Sequence, residues 1–264
     1  MHKLAVIGNP IEHSLSPVIW QLFADSLNIK LDYQKILSTP ESFELDVKQL
    51  FTTGVVAMSV TAPFKAQAYK LADIHNEHTL ACKTGNLLIN NSAEIIIDNT
   101  DGVGLIEDIK LNNMSLENKN VLFIGNGSVI HSVLSAIEAE SPSCVHMLMR
   151  NYENIIEFKK RSAIVDKYTD AIFYDIVINT TPNTPENSLF SQVKRLIDGA
   201  LAYDMIYTKA NTLFMQTMKQ GNSNIITING IGMLIQQAKV AFEKVFNQTP
   251  DVSPVYKFLE ERYK

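Results

Sequence analysis

Residues 120–150 read NVLFIGNGSVIHSVLSAIEAESPSCVHMLMR. Val121-Leu122-Phe123-Ile124 is a short apolar run with the length and residue types of a buried strand. It breaks at Gly125-Asn126-Gly127, and an apolar pattern at helical spacing follows through Val129, Ile130, Val133, Leu134 and Ile137. A second apolar run, Cys144 to Met149, ends at Arg150. Strand, glycine turn, helix and strand make the first half of a dinucleotide-binding unit. Gly125 permits the tight turn, and Gly127 lets the backbone approach a pyrophosphate seated on the helix N-terminus.

Two details sharpen the pattern. Its third small residue is Ile130 here, so the helix is expected to stand off the strand slightly. The second strand ends in Arg150, where NAD-binding units carry an acid for the ribose hydroxyls. An arginine there suits a 2′-phosphate, so NADP is the expected cofactor. A glycine pair after a strand also occurs in α/β proteins that bind no nucleotide.

Working outward, the 264 residues suffice for two domains, and 46% apolar with 19% charged residues gives enough core to fold. The net charge of −5, without clusters of Lys and Arg, argues against nucleic-acid and membrane-surface binding. Cys82 and Cys144 are far apart, which argues against a disulfide scaffold or a cysteine metal site and fits a reducing compartment. With no long apolar run, the expected location is the cytoplasm. A monomer or homodimer acting on a small molecule, with no metal, is expected.

Lys3 to Ile7 reads as a strand, followed by Ser14-Leu15-Ser16-Pro17, where Ser16 is expected to cap a helix with Pro17 in its first turn. Val55 to Val60 is another strand, and Pro63 is expected to start the next helix. Ser14, Ser16 and Thr61 therefore place hydroxyls beside helix N-termini, which suits a carboxylate or a polyhydroxylated ligand. N-capping alone would also explain each of them. Asn86 to Ile97 reads as a hairpin turning at residues 90–92, followed by Asp101 before a helix from about Val103 to Asn112. Strands are expected at 175–179, 201–207 and 225–228, and alternation with helices predicts a parallel sheet. Gly230-Ile231-Gly232 opens a long helix containing Gln237, and a final helix covers about 252–262. His13, His75 and His78 read as surface or turn residues, since their spacing suggests no metal.

Lys65 falls on the first turn of its helix, where the helix dipole opposes a cation. Together with four motifs in order, it gives the chain its resemblance. Ser14-Leu15-Ser16-Pro17, Ser59-Val60-Thr61-Ala62-Pro63-Phe64-Lys65, Asn99-Thr100-Asp101-Gly102 and the run from Gly230 to Ala238 resemble the signatures of the shikimate dehydrogenases. The resemblance covers nearly the whole chain. It implies an α/β fold: a Rossmann-type doubly wound NADP-binding domain at 103–235 plus a discontinuous α/β substrate/catalytic domain. That domain would run over 1–102 and be completed by 236–264, with both ligands in a cleft between the two.

The resemblance implies Lys65 and Asp101 as the catalytic pair. Ser14, Ser16, Thr61, Lys65, Asn86, Asp101, Tyr207 and Gln237 would hold the substrate. Gly125, Asn126, Gly127, Ser128, Arg150, Thr180, Gly230 and Met233 would hold NADP. The family reaction is reversible hydride transfer between NADPH and 3-dehydroshikimate, giving shikimate, in chorismate and aromatic amino-acid biosynthesis. The chain departs from the family pattern at Ser59, Leu87, Ile130, Met149 and Asn151. These departures leave open a relative that uses NAD or accepts quinate, and a ligand-binding homologue that has lost catalysis.

Overall fold

The computed structural model describes residues 1–92, 94–184, 186–208 and 211–263, with the side chains of Ser128 and Tyr263 outside that description. In chain order the first elements are β1 (His2–Gly8), α1 (Ser16–Ser26), β2 (Leu31–Leu37), α2 (Phe43–Thr52), β3 (Val55–Val60) and α3 (Lys65–Leu71). Next come β4 (Ile74–His75), α4 (Glu77–Cys82), β5 (Leu87–Asn91), β6 (Glu94–Asp98) and α5 (Asp101–Leu111). Then follow β7 (Asn120–Ile124), α6 (Ser128–Ala139), β8 (Cys144–Leu148), α7 (Ile155–Arg161), β9 (Val165–Lys167) and β10 (Tyr174–Asn179). After a short 3-10 turn at Phe190–Gln192, β11 (Leu196–Asp204), α8 (Leu213–Gly221), β12 (Ile226–Asn229), α9 (Ile231–Phe246) and α10 (Ser253–Tyr263) complete the chain.

Two compact units result. One comprises Met1–Leu105, His131–Ser135 and Leu234–Glu261; the other comprises Ile106–Ile130 and Ala136–Met233 with the end of the chain. The first unit has a six-stranded sheet in the order β2-β1-β3-β5-β6-β4. β1 pairs parallel with β2 and β3, and the β5–β6 hairpin adds antiparallel to β3. Phe43, Val47, Met58, Phe64, Leu88 and Ile97 form a core on this sheet, with Phe43 stacked on Phe64 at 4.9 Å. Trp20 and Phe23 of α1 meet Phe242 of α9 at 5.4 and 5.7 Å, which fixes α1 and α9 from Leu234 onward within this unit.

The second unit has a six-stranded parallel sheet in the order β12-β11-β10-β7-β8-β9. Strand order reverses between β7 and β10, the switch point at which such sheets bind ligands. Val121 to Ile124 are buried, as a strand covered on both faces must be. Ile130, Val133, Leu134 and Ile137 of α6 are buried as well.

The structure corrects several local expectations. Ser16 is the first residue of α1, not a side-chain cap; Leu15 occupies the cap position. α3 begins at Lys65 rather than at Pro63, and α5 begins at Asp101 rather than at Val103. β11 starts earlier than expected and ends at Asp204, which leaves Tyr207 outside the strand and 39% exposed. The hairpin strand runs on to Asn91, so its turn falls at Ser92, whose φ is 61°. His78 is half-buried in α4 rather than set in a turn or on the open surface: its Nδ1 lies 2.9 Å from Ser135 Oγ and its Nε2 is buried.

Candidate active site

Sheet register gathers the candidate residues of the first unit. Val60 N–H donates to Asn86 O, and Asn86 N–H donates to Asp98 O. The end of β3, the start of β5 and the end of β6 therefore lie side by side. From the first hangs Thr61 with the turn to Lys65; from the third come Asn99, Thr100 and Asp101.

At this edge Lys65 Nζ stands 2.6 Å from Asp101 Oδ2, with the lysine side chain 25% exposed and the aspartate 7%. The other carboxylate oxygen, Oδ1, accepts from Asn86 Nδ2 at 2.9 Å. Asn86 Oδ1 accepts from Thr100 N–H at 2.9 Å, which orients the amide. Gln237 Oε1 accepts from Asn86 Nδ2 at 3.2 Å, and Gln237 Nε2 donates to Leu234 O. Behind them, Asn99 Oδ1 accepts from Asp101 N–H at 3.1 Å, while Asn99 Nδ2 donates to Thr84 O and to Ser132 Oγ. Asp101 thus has a partner on each oxygen and a braced backbone. A buried carboxylate persists only with such pairing.

Ser14 and Ser16 form a second polar group. Ser14 Oγ donates to Ser16 Oγ at 3.3 Å and accepts from Ser16 N–H at 3.4 Å. Tyr33, which no sequence pattern singled out, joins them through a hydrogen bond to Ser16, with its hydroxyl also 2.8 Å from Ser59 Oγ. The structure also shows why Gly8 precedes Thr61 in space: a Cβ there would meet Thr61 Cγ2 at 2.3 Å.

In the second unit the candidates follow the C-terminal ends of parallel strands. Gly125 has φ +100°, and a Cβ on it would meet Thr181 Cγ2 at 2.4 Å and Thr180 Oγ1 at 2.8 Å. Only glycine fits that turn. Gly127 differs: its φ is −59°, and a Cβ would meet Thr180 O at 3.4 Å and Thr180 Oγ1 at 4.0 Å, both ordinary contacts. Packing does not demand a glycine there, and among the described residues no side chain caps α6. The Ile130 N–H turns back to Gly127 O at 3.0 Å, and the start of this 12-residue helix offers an anion cradle with close backbone access.

Asn126 and Arg150 are exposed beside this turn. The Ser128 side chain lies outside the described residues. Thr180 spends its hydroxyl proton on Ile124 O at 2.8 Å, which bolts β10 to β7 beneath the glycine turn. Gly230 is a packing glycine, since a Cβ would meet Met205 O at 2.3 Å. Met233 is buried at the start of α9.

Two supports in this unit had no sequence signal. Asp204 accepts from Asn179 Nδ2, Asn183 Nδ2 and Ile206 N–H, and so ties together the loops after β10 and β11. Asp108 accepts from the Tyr203 hydroxyl and lies against Gly232, where a Cβ would strike the carboxylate. Burial pushes the Asp108 carboxyl up, opposed by hydrogen bonds from Tyr203, the Met233 N–H and Asn112.

A parallel sheet with its order reversing beside a glycine turn and helix start places the second unit among the Rossmann-type α/β proteins. Comparison narrows this further. A family model described as the shikimate dehydrogenase substrate binding domain matches residues 6–88. The shikimate dehydrogenase (NADP(+)) of Laribacter hongkongensis is 34% identical over 267 residues, covering 98% of this chain and 97% of the relative. That of Legionella pneumophila strain Corby is 34% identical over 251 residues, 92% of each chain. Among solved structures, an Ael1 enzyme from Pseudomonas putida aligns over 98% of both chains at 30% identity with a TM-score of 0.86. A Thermus thermophilus shikimate 5-dehydrogenase in complex with NADP(H) and shikimate aligns over 100% of both chains, with 21% identity and a TM-score of 0.87. The chain belongs to the shikimate dehydrogenase family. Among the described residues no helix is long and apolar enough to cross a membrane.

Proposed function

We propose that this chain is an NADP-dependent shikimate dehydrogenase that reversibly reduces 3-dehydroshikimate to shikimate. The observation that carries the reading is the Lys65–Asp101 ion pair, held from behind by Asn86. Relatives over nearly the full length bear that activity in their names, with NADP(+) as the cofactor.

The residues of the second unit fit a phosphorylated dinucleotide. The Gly127 cradle offers N–H donors, and exposed Arg150 is a bidentate donor suited to a 2′-phosphate. Gly125, Asn126, Ser128, Thr180, Gly230 and Met233 complete the candidate set. We assign this domain role to the second unit, and the substrate and catalytic role to the first. When bound, NADPH supplies the hydride.

The first unit's residues handle the proton and the substrate. Reduction of a ketone builds negative charge on the carbonyl oxygen, which must receive a proton. Lys65 Nζ, as an ammonium, donates it there. Asp101 holds the ammonium in place and accepts a substrate hydroxyl; the Asn86 amide keeps one carboxylate oxygen occupied and the group fixed. Gln237, already bonded to Asn86, offers a second amide to the ring hydroxyls. Ser14, Ser16 and Thr61 take the carboxylate, and Tyr207 lies against the substrate.

The test is one assay: reduction of NADP and of NAD, each with shikimate and then with quinate. The proposal expects shikimate with NADP to be the most efficient of the four. Preference for quinate or NAD would reassign the specificity. No turnover with any pair would remove the enzymatic reading.

A further inference from the structure

Tyr33 sits in β2, and register places it opposite Leu4, while Leu4 also pairs with Ala57 and Val6 with Ser59. Paired residues of a parallel sheet share a face, and alternate residues return to it. Tyr33 and Ser59 therefore point to the same side although a strand separates them. On that side their hydroxyl oxygens are 2.8 Å apart, and the phenol also bonds Ser16. The phenol ring lies 5.5 Å from the Trp20 ring, on the same helix that begins with Ser16. Trp20 is packed in turn on Phe242, so the aromatic has little freedom. The hydroxyl end is buried, and burial keeps it protonated far beyond the ordinary tyrosine range.

A serine hydroxyl has one proton and two acceptor sites. Ser14 already donates to Ser16 Oγ. If Tyr33 donates to the same oxygen, both acceptor sites of Ser16 are filled, and its own proton can only point outward. An anion is bound by such outward protons. Ser59 is short enough for the phenol to reach its oxygen, so it can donate to Tyr33 and fix the direction of the chain.

We propose that Tyr33 is a positioning residue: the chain Ser59 to Tyr33 to Ser16 aims the Ser16 proton at the substrate carboxylate. The proposal rests on the reading of Ser14 and Ser16 as carboxylate ligands. It makes the departure at Ser59 part of a working pair rather than a loss.

The experiment combines binding and turnover. Trp20 is the sole tryptophan and lies against Tyr33, so its fluorescence reports shikimate binding independently of catalysis. Tyr33→Phe keeps the ring and removes the hydroxyl. It should raise both Kd and KM for shikimate by about 3–10-fold, the worth of one hydrogen bond, with kcat held within about twofold. In a Ser16→Ala background the same change should move Kd by less than about twofold, because the proton it orients is gone. Ser59→Ala should weaken binding in the same direction by a smaller factor, and it serves as the test if Tyr33→Phe does not fold. Unchanged Kd in Tyr33→Phe, or an equal loss with and without Ser16, overturns the inference. Shikimate binding without turnover in the unmodified chain sinks the catalytic reading while leaving Kd to decide this one; no shikimate binding at all sinks both.

Discussion

Asn86 Nδ2 lies 2.9 Å from Asp101 Oδ1, on the side of the carboxylate away from Lys65, so the aspartate is gripped from two directions. The grip follows from the β3–β5–β6 register, which brings position 86 beside position 101. Asn86→Ala would leave a buried carboxylate oxygen short of a donor, at about 1–3 kcal/mol. We expect kcat/KM to fall by about 5–150-fold, the same energy expressed as a rate. Asn86→Asp should be worse than Asn86→Ala despite its better size match, because it sets a second carboxylate against Asp101. Steady-state kinetics of the two variants checks this order.

Arg150→Ala should raise KM for NADP by about 10–150-fold, the worth of a hydrogen bond to a charged group. KM for NAD should stay within about twofold. Parallel kinetics with both cofactors decides it, and equal effects would show that Arg150 does not read the 2′-phosphate.

The two glycines of the β7–α6 turn should respond differently. Gly125→Ala puts a side chain at φ +100° and against Thr181, so it should lose about 1–2 kcal/mol from the backbone alone and more from the clash. Gly127→Ala, at φ −59° with only an ordinary contact, should leave the melting temperature near normal and weaken NADP binding. Thermal melts with a cofactor titration separate them. Equal destabilisation would mean that Gly127 serves packing.

Asp108 gives a pH signature. Its folded pKa is raised above 3.8 by burial, so the folded protein binds this proton more tightly than the unfolded chain. Its contribution to stability is therefore most favourable below the unfolded value of about 4 and is lost as pH rises through the raised folded value. Asp108→Asn lacks that titration. The melting temperature of the native chain should thus decline relative to Asp108→Asn as pH climbs from about 4. A difference that stays constant across that window would contradict the assignment.

Local patterns carried much of the fold. Val121 to Ile124 announced a two-face-buried strand because the apolar run is too short for a helix and stops at a glycine turn. Gly125 announced its turn because only glycine tolerates the backbone. Helix starts were misjudged at Ser16 and Pro63 because a serine or proline near a helix end fits several positions within a turn. The polar supports were illegible for a different reason. Asn99 with Ser132, Asp204 with Asn179 and Tyr33 with Ser59 are each far apart in the chain, and no local pattern links them. That Lys65 and Asp101 meet was legible only through the motifs that carry them, since each residue alone has a local explanation.

The central claim is that Lys65 delivers the proton, with Asp101 as its partner. The most direct measurement is turnover of Lys65→Ala at saturating shikimate and NADP, with the melting temperature taken alongside. Lys65 is partly exposed at a helix start, so the fold should be retained. Turnover should fall by about 10²–10⁴-fold, the usual worth of a positioned acid–base group. Adding Asp101→Ala should then cost little more, since the two act as a unit. Near-normal turnover in a folded Lys65→Ala protein would contradict the account.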